Sequence, residues 1–129
     1  MTFVLASLLF SGIAFANPTI VKIKNNDPQY SMFVNYQACF RELKHGQQFA
    51  ECRPRVHSIT IRKGKRFVDV LLPEYTDFAK VISAYAMDDS GASKAHTEFP
   101  GEEDCKSFDN SPATLETNVD TRSIACTRG

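Results

Sequence analysis

Tyr30, Met32, Val34, Tyr36, Ala38 and Phe40 alternate along the chain with Ser31, Phe33, Asn35, Gln37 and Cys39. A period of two held over this length predicts a strand with one face in a core and the other mostly polar. Upstream, Ile20–Lys24 is a short β-rich run that stops at Asn25-Asn26-Asp27-Pro28, a turn signal. Downstream, Arg41–Glu51 breaks the alternation and contains Gly46. It reads as a loop, with room for one helical turn over Arg41–Lys44 ended at the glycine. Val56–Arg62 and Phe67–Leu72 are two further β-rich runs. The short connection Lys63-Gly64-Lys65 between them predicts a hairpin.

Phe78–Met87 fits two patterns. Phe78, Val81, Ile82 and Tyr85 trace a helical face behind Asp77 as N-cap, yet the same run suits a strand buried on both sides. Its length and the following Asp88-Asp89-Ser90-Gly91 turn favour the strand, in a hairpin with Ala92–Phe99. Pro100–Pro112 reads as an acidic, turn-rich loop. Thr114–Val119 and Ser123–Thr127 follow as short strands joined through Asp120-Thr121-Arg122. Seven to eight short strands at regular spacing, with no helical segment, predict an all-β fold: a single antiparallel β-sandwich of Ig-like architecture. The likeness is architectural only. The chain has no Trp, and its cysteines are not spaced to staple two sheets early and late.

The N-terminus changes how the cysteines are read. Met1–Ala16 carries no charge, holds an apolar run from Phe3 to Phe15 and ends in the small-x-small triplet Ala14-Phe15-Ala16. That is the layout of a signal peptide cut before Asn17, although the usual basic residue near the start is missing. The apolar run is too short to span a bilayer. The expected product is residues 17–129 as one β-sandwich domain, secreted or periplasmic and not membrane-spanning. Cys39, Cys52, Cys105 and Cys126 then form an even set in an oxidising compartment, which predicts two disulfides. Of three possible connectivities, local pairing (Cys39–Cys52 and Cys105–Cys126) is expected, because each pair brackets one loop region. No C-x-x-C spacing points to zinc.

The net charge is zero, but it hides a polarity. Residues 17–66 hold ten Lys or Arg against three acidic residues, and residues 67–129 hold five against twelve. The hairpin tip Arg62, Lys63, Lys65 and Arg66, with Arg53 and Arg55 upstream, is the candidate contact site for an anionic or protein partner. For an exported chain such a partner is an extracellular polyanion and not intracellular nucleic acid. The six cations serve a polyanion only if they share one surface that carboxylates of the acidic half do not enter.

Other chemistry is thinner. His57 and His96 lie in predicted strands and are the candidates for a hydrolase or nuclease-like alternative, but no H-x-H or H-E-x-x-H spacing fixes a geometry. Nucleophile elbows and phosphate-binding glycine loops are missing. Asp88-Asp89-Ser90-Gly91 and Glu102-Glu103-Asp104 lack the ligand spacing of a calcium loop, so no metal or cofactor is expected. Phe33 lies on the polar row beside Asn35 and Gln37, where cover by a sheet edge or loop is the simplest account. An inhibitor-type module that inserts the loop 39–52 into a partner's cleft is the third reading. The function expected is that of a small exported, non-catalytic binding module acting through segment 53–66.

Overall fold

The computed structural model describes residues 18–128, so the expected signal peptide, Met1–Ala16, lies outside the described residues. Within them the chain is all-β and forms two facing sheets. The strands are β1 (Ile20–Asn25), β2 (Ser31–Lys44), β3 (Gln47–Cys52), β4 (His57–Ile61), β5 (Phe67–Leu71), β6 (Phe78–Met87), β7 (Ser93–Glu98), β8 (Lys106–Phe108), β9 (Ala113–Asn118) and β10 (Ser123–Arg128). One sheet runs β10-β9-β1-β5. The other is built on the β2–β6 pair, with β3 and β4 end to end along the free edge of β2, and β7 and β8 along that of β6.

Alternation decides which rows meet in the middle. Met32, Val34, Tyr36 and Ala38 of β2 are buried, as are Val21 and Ile23 of β1, Val70 of β5 and Ala113 and Leu115 of β9. These rows from both sheets, with Ile61 and Ile124, make one apolar cluster. The sandwich is thus the expected one, with ten strands because β3 and β8 add to the count. All pairs are antiparallel except β1 with β9.

Three local predictions hold in register. Asn25 closes the first turn by accepting the Asp27 amide at 3.0 Å and donating to the Tyr30 carbonyl at 2.9 Å. Phe78–Met87 is a strand and pairs antiparallel with β7. At its turn, Asp88 accepts the Ser90 hydroxyl and the Ser90 and Ala92 amides. The Ser90 hydroxyl, then the Ala92 and Ser90 amides, hold its carboxyl below the ordinary value. Its carboxylate is therefore committed to the turn.

Two local predictions are corrected. Segment 41–51 is neither loop nor helical turn: β2 continues to Lys44, and β3 returns in register with Cys39 opposite Cys52. Every residue of β3 is exposed, so burial imposes no periodicity that the sequence can display. Ladder bonds and a two-residue turn with positive φ at His45 and Gly46 hold it instead. Gly46→Val is expected to cost about 1–2 kcal/mol through the left-handed backbone, read by thermal unfolding.

The second correction concerns Val56–Arg62 and Phe67–Leu72, which do not form a hairpin with each other. β4 pairs with β2 and β5 with β1, so residues 62–66 cross from one sheet to the other. Ile61 and Val70 both face the core, but from opposite sides. The turn itself is real: Lys65 donates to the Arg62 carbonyl at 2.9 Å, and Gly64 has φ 89°.

The pairing of cysteines is Cys39–Cys52 and Cys105–Cys126. The first closes the β2–β3 hairpin. The second, unlike the sequence expectation, does join the two sheets, because Cys105 precedes β8 and Cys126 lies in β10. Ser107 makes a second tie nearby. It is fully buried in β8, its hydroxyl donates to the Lys22 carbonyl of β1, and it accepts the Ala113 amide of β9 at 3.0 Å.

β6 carries the irregularity that matters most for the outer surface. Its register against β2 shifts at Asn35/Tyr36, which leaves Ile82 as an extra residue. Ala84 and Ala86 on one side of it, and Ala79 and Val81 on the other, all reach the core. Phe78 and Lys80 consequently turn to the outer face of the sheet, where both are nonetheless buried.

Candidate functional site

The six cations expected to act together separate into two groups. Arg53 and Arg55 precede β4 and line a groove with Phe40, His57, Pro73 and Tyr75, where an Arg53 guanidinium nitrogen donates to the Glu74 carbonyl at 2.8 Å. Arg62, Lys63, Lys65 and Arg66 follow β4, and that five-residue strand alone spans roughly 16 Å. A carboxylate of the acidic half enters the second group: Lys63 Nζ pairs with Asp89 at 2.8 Å. Lys22–Asp69 and Arg41–Asp77 are further ion pairs between the halves, so the charge polarity of the sequence is partly mixed by the fold.

What the fold gathers instead is a smaller cluster. β1 turns Lys22 and Lys24 to the outer face of its sheet, in register with Asp69 and Phe67 of β5. The crossover brings Lys65 and Arg66 to the same place, held by the Asn25 amide donating to the Arg66 carbonyl at 2.8 Å. Lys22, Lys24, Lys65 and Arg66 line a groove of about 800 Å³ with Asn26 and Pro28, and no carboxylate is among its lining residues. Lys22 is committed to Asp69 at 2.9 Å and lies over the Phe67 ring. Lys24, Lys65 and Arg66 have no ion-pair partner among the described residues. Sequence reasoning missed Lys24, because its neighbours in space lie some forty residues away in the chain.

The histidines are not brought together. His57 stacks on Tyr36, a core-facing side chain of β2, at 5.2 Å between centroids. His96 stacks on Tyr85, on the outer face, at 4.2 Å, and its Nε2 meets Glu98 at 2.7 Å. The two rings are on opposite faces of the sheet, with β2 and β6 between their strands. Phe33, half-buried, extends the outer aromatic row to Tyr85 of its own sheet at 6.2 Å. Beside this row a hydrogen-bonded ladder crosses three strands: Ser58 donates to Asn35 at 2.6 Å and Asn35 to Ser83 at 2.9 Å. Among the described residues no three His, Cys, Asp or Glu side chains converge as metal ligands.

Below that ladder, on the same outer face, lies a second groove of about 400 Å³. Its floor is Lys80, and its walls include Phe78, Ile82, Phe99 and Pro100. Lys80 is 6% exposed, and its Nζ donates to the Val81 carbonyl at 3.0 Å and the Phe99 carbonyl at 2.7 Å. No carboxylate pairs with it among the described residues. Burial pushes the ammonium below its ordinary pKa, with Asp104 opposing that shift. The sequence signal for Lys80 is that it is the lone charge inside the largely apolar run Phe78–Met87.

Comparison of the chain with protein-family models, with curated proteins and with solved structures returned no match.

Proposed function

We propose that the protein is an exported, non-catalytic binding module for an anionic macromolecule, and that Lys24, Lys65 and Arg66 form its contact surface. The observation that carries this reading is the set of three cations, Lys24, Lys65 and Arg66, around one groove with no carboxylate in its lining. Arg supplies bidentate geometry for sulfate or phosphate groups and Lys supplies point charge. Both disulfides fit an oxidising compartment, where such groups are carried by surface lipids and sulfated glycans. The proposal is narrower than the whole segment 53–66, because Arg53 and Arg55 lie beyond β4 and Lys63 is taken by Asp89.

The test is elution from immobilised heparin over a range of salt. Each phosphate- or sulfate-bound cation adds about one to the slope of log affinity against log salt. Replacing Lys24, Lys65 and Arg66 by Ala is expected to lower that slope by about two to three, whereas replacing Arg53 and Arg55 is expected to leave it unchanged. Equal losses in both variants would mean that net charge, and not this groove, governs retention.

A second reading draws on the β2–β3 hairpin. Its ladder partner beyond Cys39 is itself alone, and it presents Leu43 at 74% and Phe49 at 44% exposure. Those exposed apolar groups support insertion of the hairpin into a protein partner's cleft.

A further inference from the structure

We infer that the groove over β6 is a binding site for a small zwitterion with an apolar side chain, an amino acid or a short peptide with both termini free. The inference concerns the opposite sheet from the basic groove and does not depend on it.

Three features set the chemistry. The floor presents an ammonium with three donors, of which two are used on carbonyls, so one N–H of Lys80 is left to donate to a carboxylate. Phe78, Ile82, Phe99 and Pro100 give the groove an apolar wall suited to a hydrocarbon side chain. At the rim stand Glu98 and Glu102. Glu98 is paired with His96, but the exposed Glu102 has no ion-pair or hydrogen-bond partner among the described residues. A simple anion would meet repulsion from the rim, and a simple cation would meet Lys80 and Lys106. Lys106 itself is occupied, paired with Glu103 at 2.9 Å and set over the Phe78 ring at 5.3 Å. A zwitterion satisfies both unmatched charges, its carboxylate on Lys80 and its ammonium on Glu102.

The volume fits. About 400 Å³ lies in the range of small-molecule sites and accommodates one or two amino-acid residues. Burial disfavours the ammonium form of Lys80 despite the opposing field of Asp104, and a bound carboxylate offsets that cost. The two carbonyl bonds also fasten the Phe99 segment to β6, so Lys80 serves the fold as well as the groove.

The experiment is calorimetric titration of the folded protein with L-phenylalanine and with the dipeptide Ala-Phe, each at up to millimolar concentration. N-acetyl-phenylalanine, which lacks the ammonium, and phenylalanine amide, which lacks the carboxylate, are the controls. Saturable binding is expected for one of the two zwitterions, and which of them binds fixes the spacing between the charges. Both blocked forms are expected to bind at least tenfold more weakly. Lys80→Met is expected to abolish binding, with circular dichroism checking that the variant is folded, and Glu102→Gln, at an exposed position that leaves the fold intact, to weaken it about tenfold. No binding by either zwitterion, blocked forms that bind as well as free ones, or unchanged affinity in Lys80→Met each overturns the inference.

Discussion

Replacing Cys105 and Cys126 together by alanine is expected to remove about 3 kcal/mol of stability and lower the melting temperature by roughly 10–20 °C. The chain between them spans 21 residues, for which loop closure in the unfolded state accounts for an effect of about this size. Packing adds to it, because Cys105 is 1% exposed within the core cluster and Cys126 rests against that cluster. The bond also joins two small elements across the sandwich: β8 has three residues, and β10 is an edge strand of the opposite sheet. Urea denaturation of the double variant measures the effect. A loss below about 1 kcal/mol would show that the sheets hold without the bond. The Cys39–Cys52 bond offers the comparison, since its span of 13 residues is not much shorter but lies within one hairpin. That hairpin can fray locally, so its loss is expected to be felt less by the sandwich as a whole.

Ser107→Ala is expected to cost about 2–4 kcal/mol, large for the loss of one hydroxyl. The hydroxyl sits between the Lys22 carbonyl and the Ala113 amide, in the place where the parallel ladder of β1 and β9 comes to its end. Its removal leaves a donor and an acceptor without partners in a fully buried site, and each unsatisfied group costs about 1–3 kcal/mol. Equilibrium denaturation gives the magnitude, and faster hydrogen exchange at the Ala113 amide gives the location. A change smaller than about 0.5 kcal/mol would mean that the backbone closes the gap by itself.

Much of this architecture was legible in the chain, and the failures have a common cause. β2 was legible because one face meets a core over most of its length, so polar and apolar positions had to alternate. β6 was legible by length and turn, although its bulge at Ile82 breaks the period that would have marked it plainly. β3 was invisible because neither of its faces is buried. The supposed hairpin of β4 and β5 failed for another reason. A short glycine-containing turn reverses the chain equally well within one sheet or between two, and only the distant partners, β2 and β1, decide which.

The same limit governed the sites. Arg62 to Arg66 stood out as a charge run, but which of its cations remain free depended on Asp89, and the cation that joins them is Lys24, neither of them near in sequence. Lys80 offered a sequence signal, a single cation within an apolar strand. Its significance comes from the loop carrying Phe99 and Glu102, which folds over it.

The position of β1 has a consequence for the order in which the molecule can assemble. Its partners are β5 on one side and, in parallel, β9 on the other, where Ile23 meets Ala113. A chain emerging from its N-terminus can complete β2, β4, β6 and β7 while Val21 and Ile23 have only β5 beside them. The four-stranded layer closes only when residues 113–118 arrive. Pairings of such long range are slow to form, and folding should show a late phase in which protection of β1, β9 and β10 amides rises together. Until then only the β1–β5 pair can cover the inner face of the β2–β6 sheet, and any chain stopped short of β9 would leave the rest of it open.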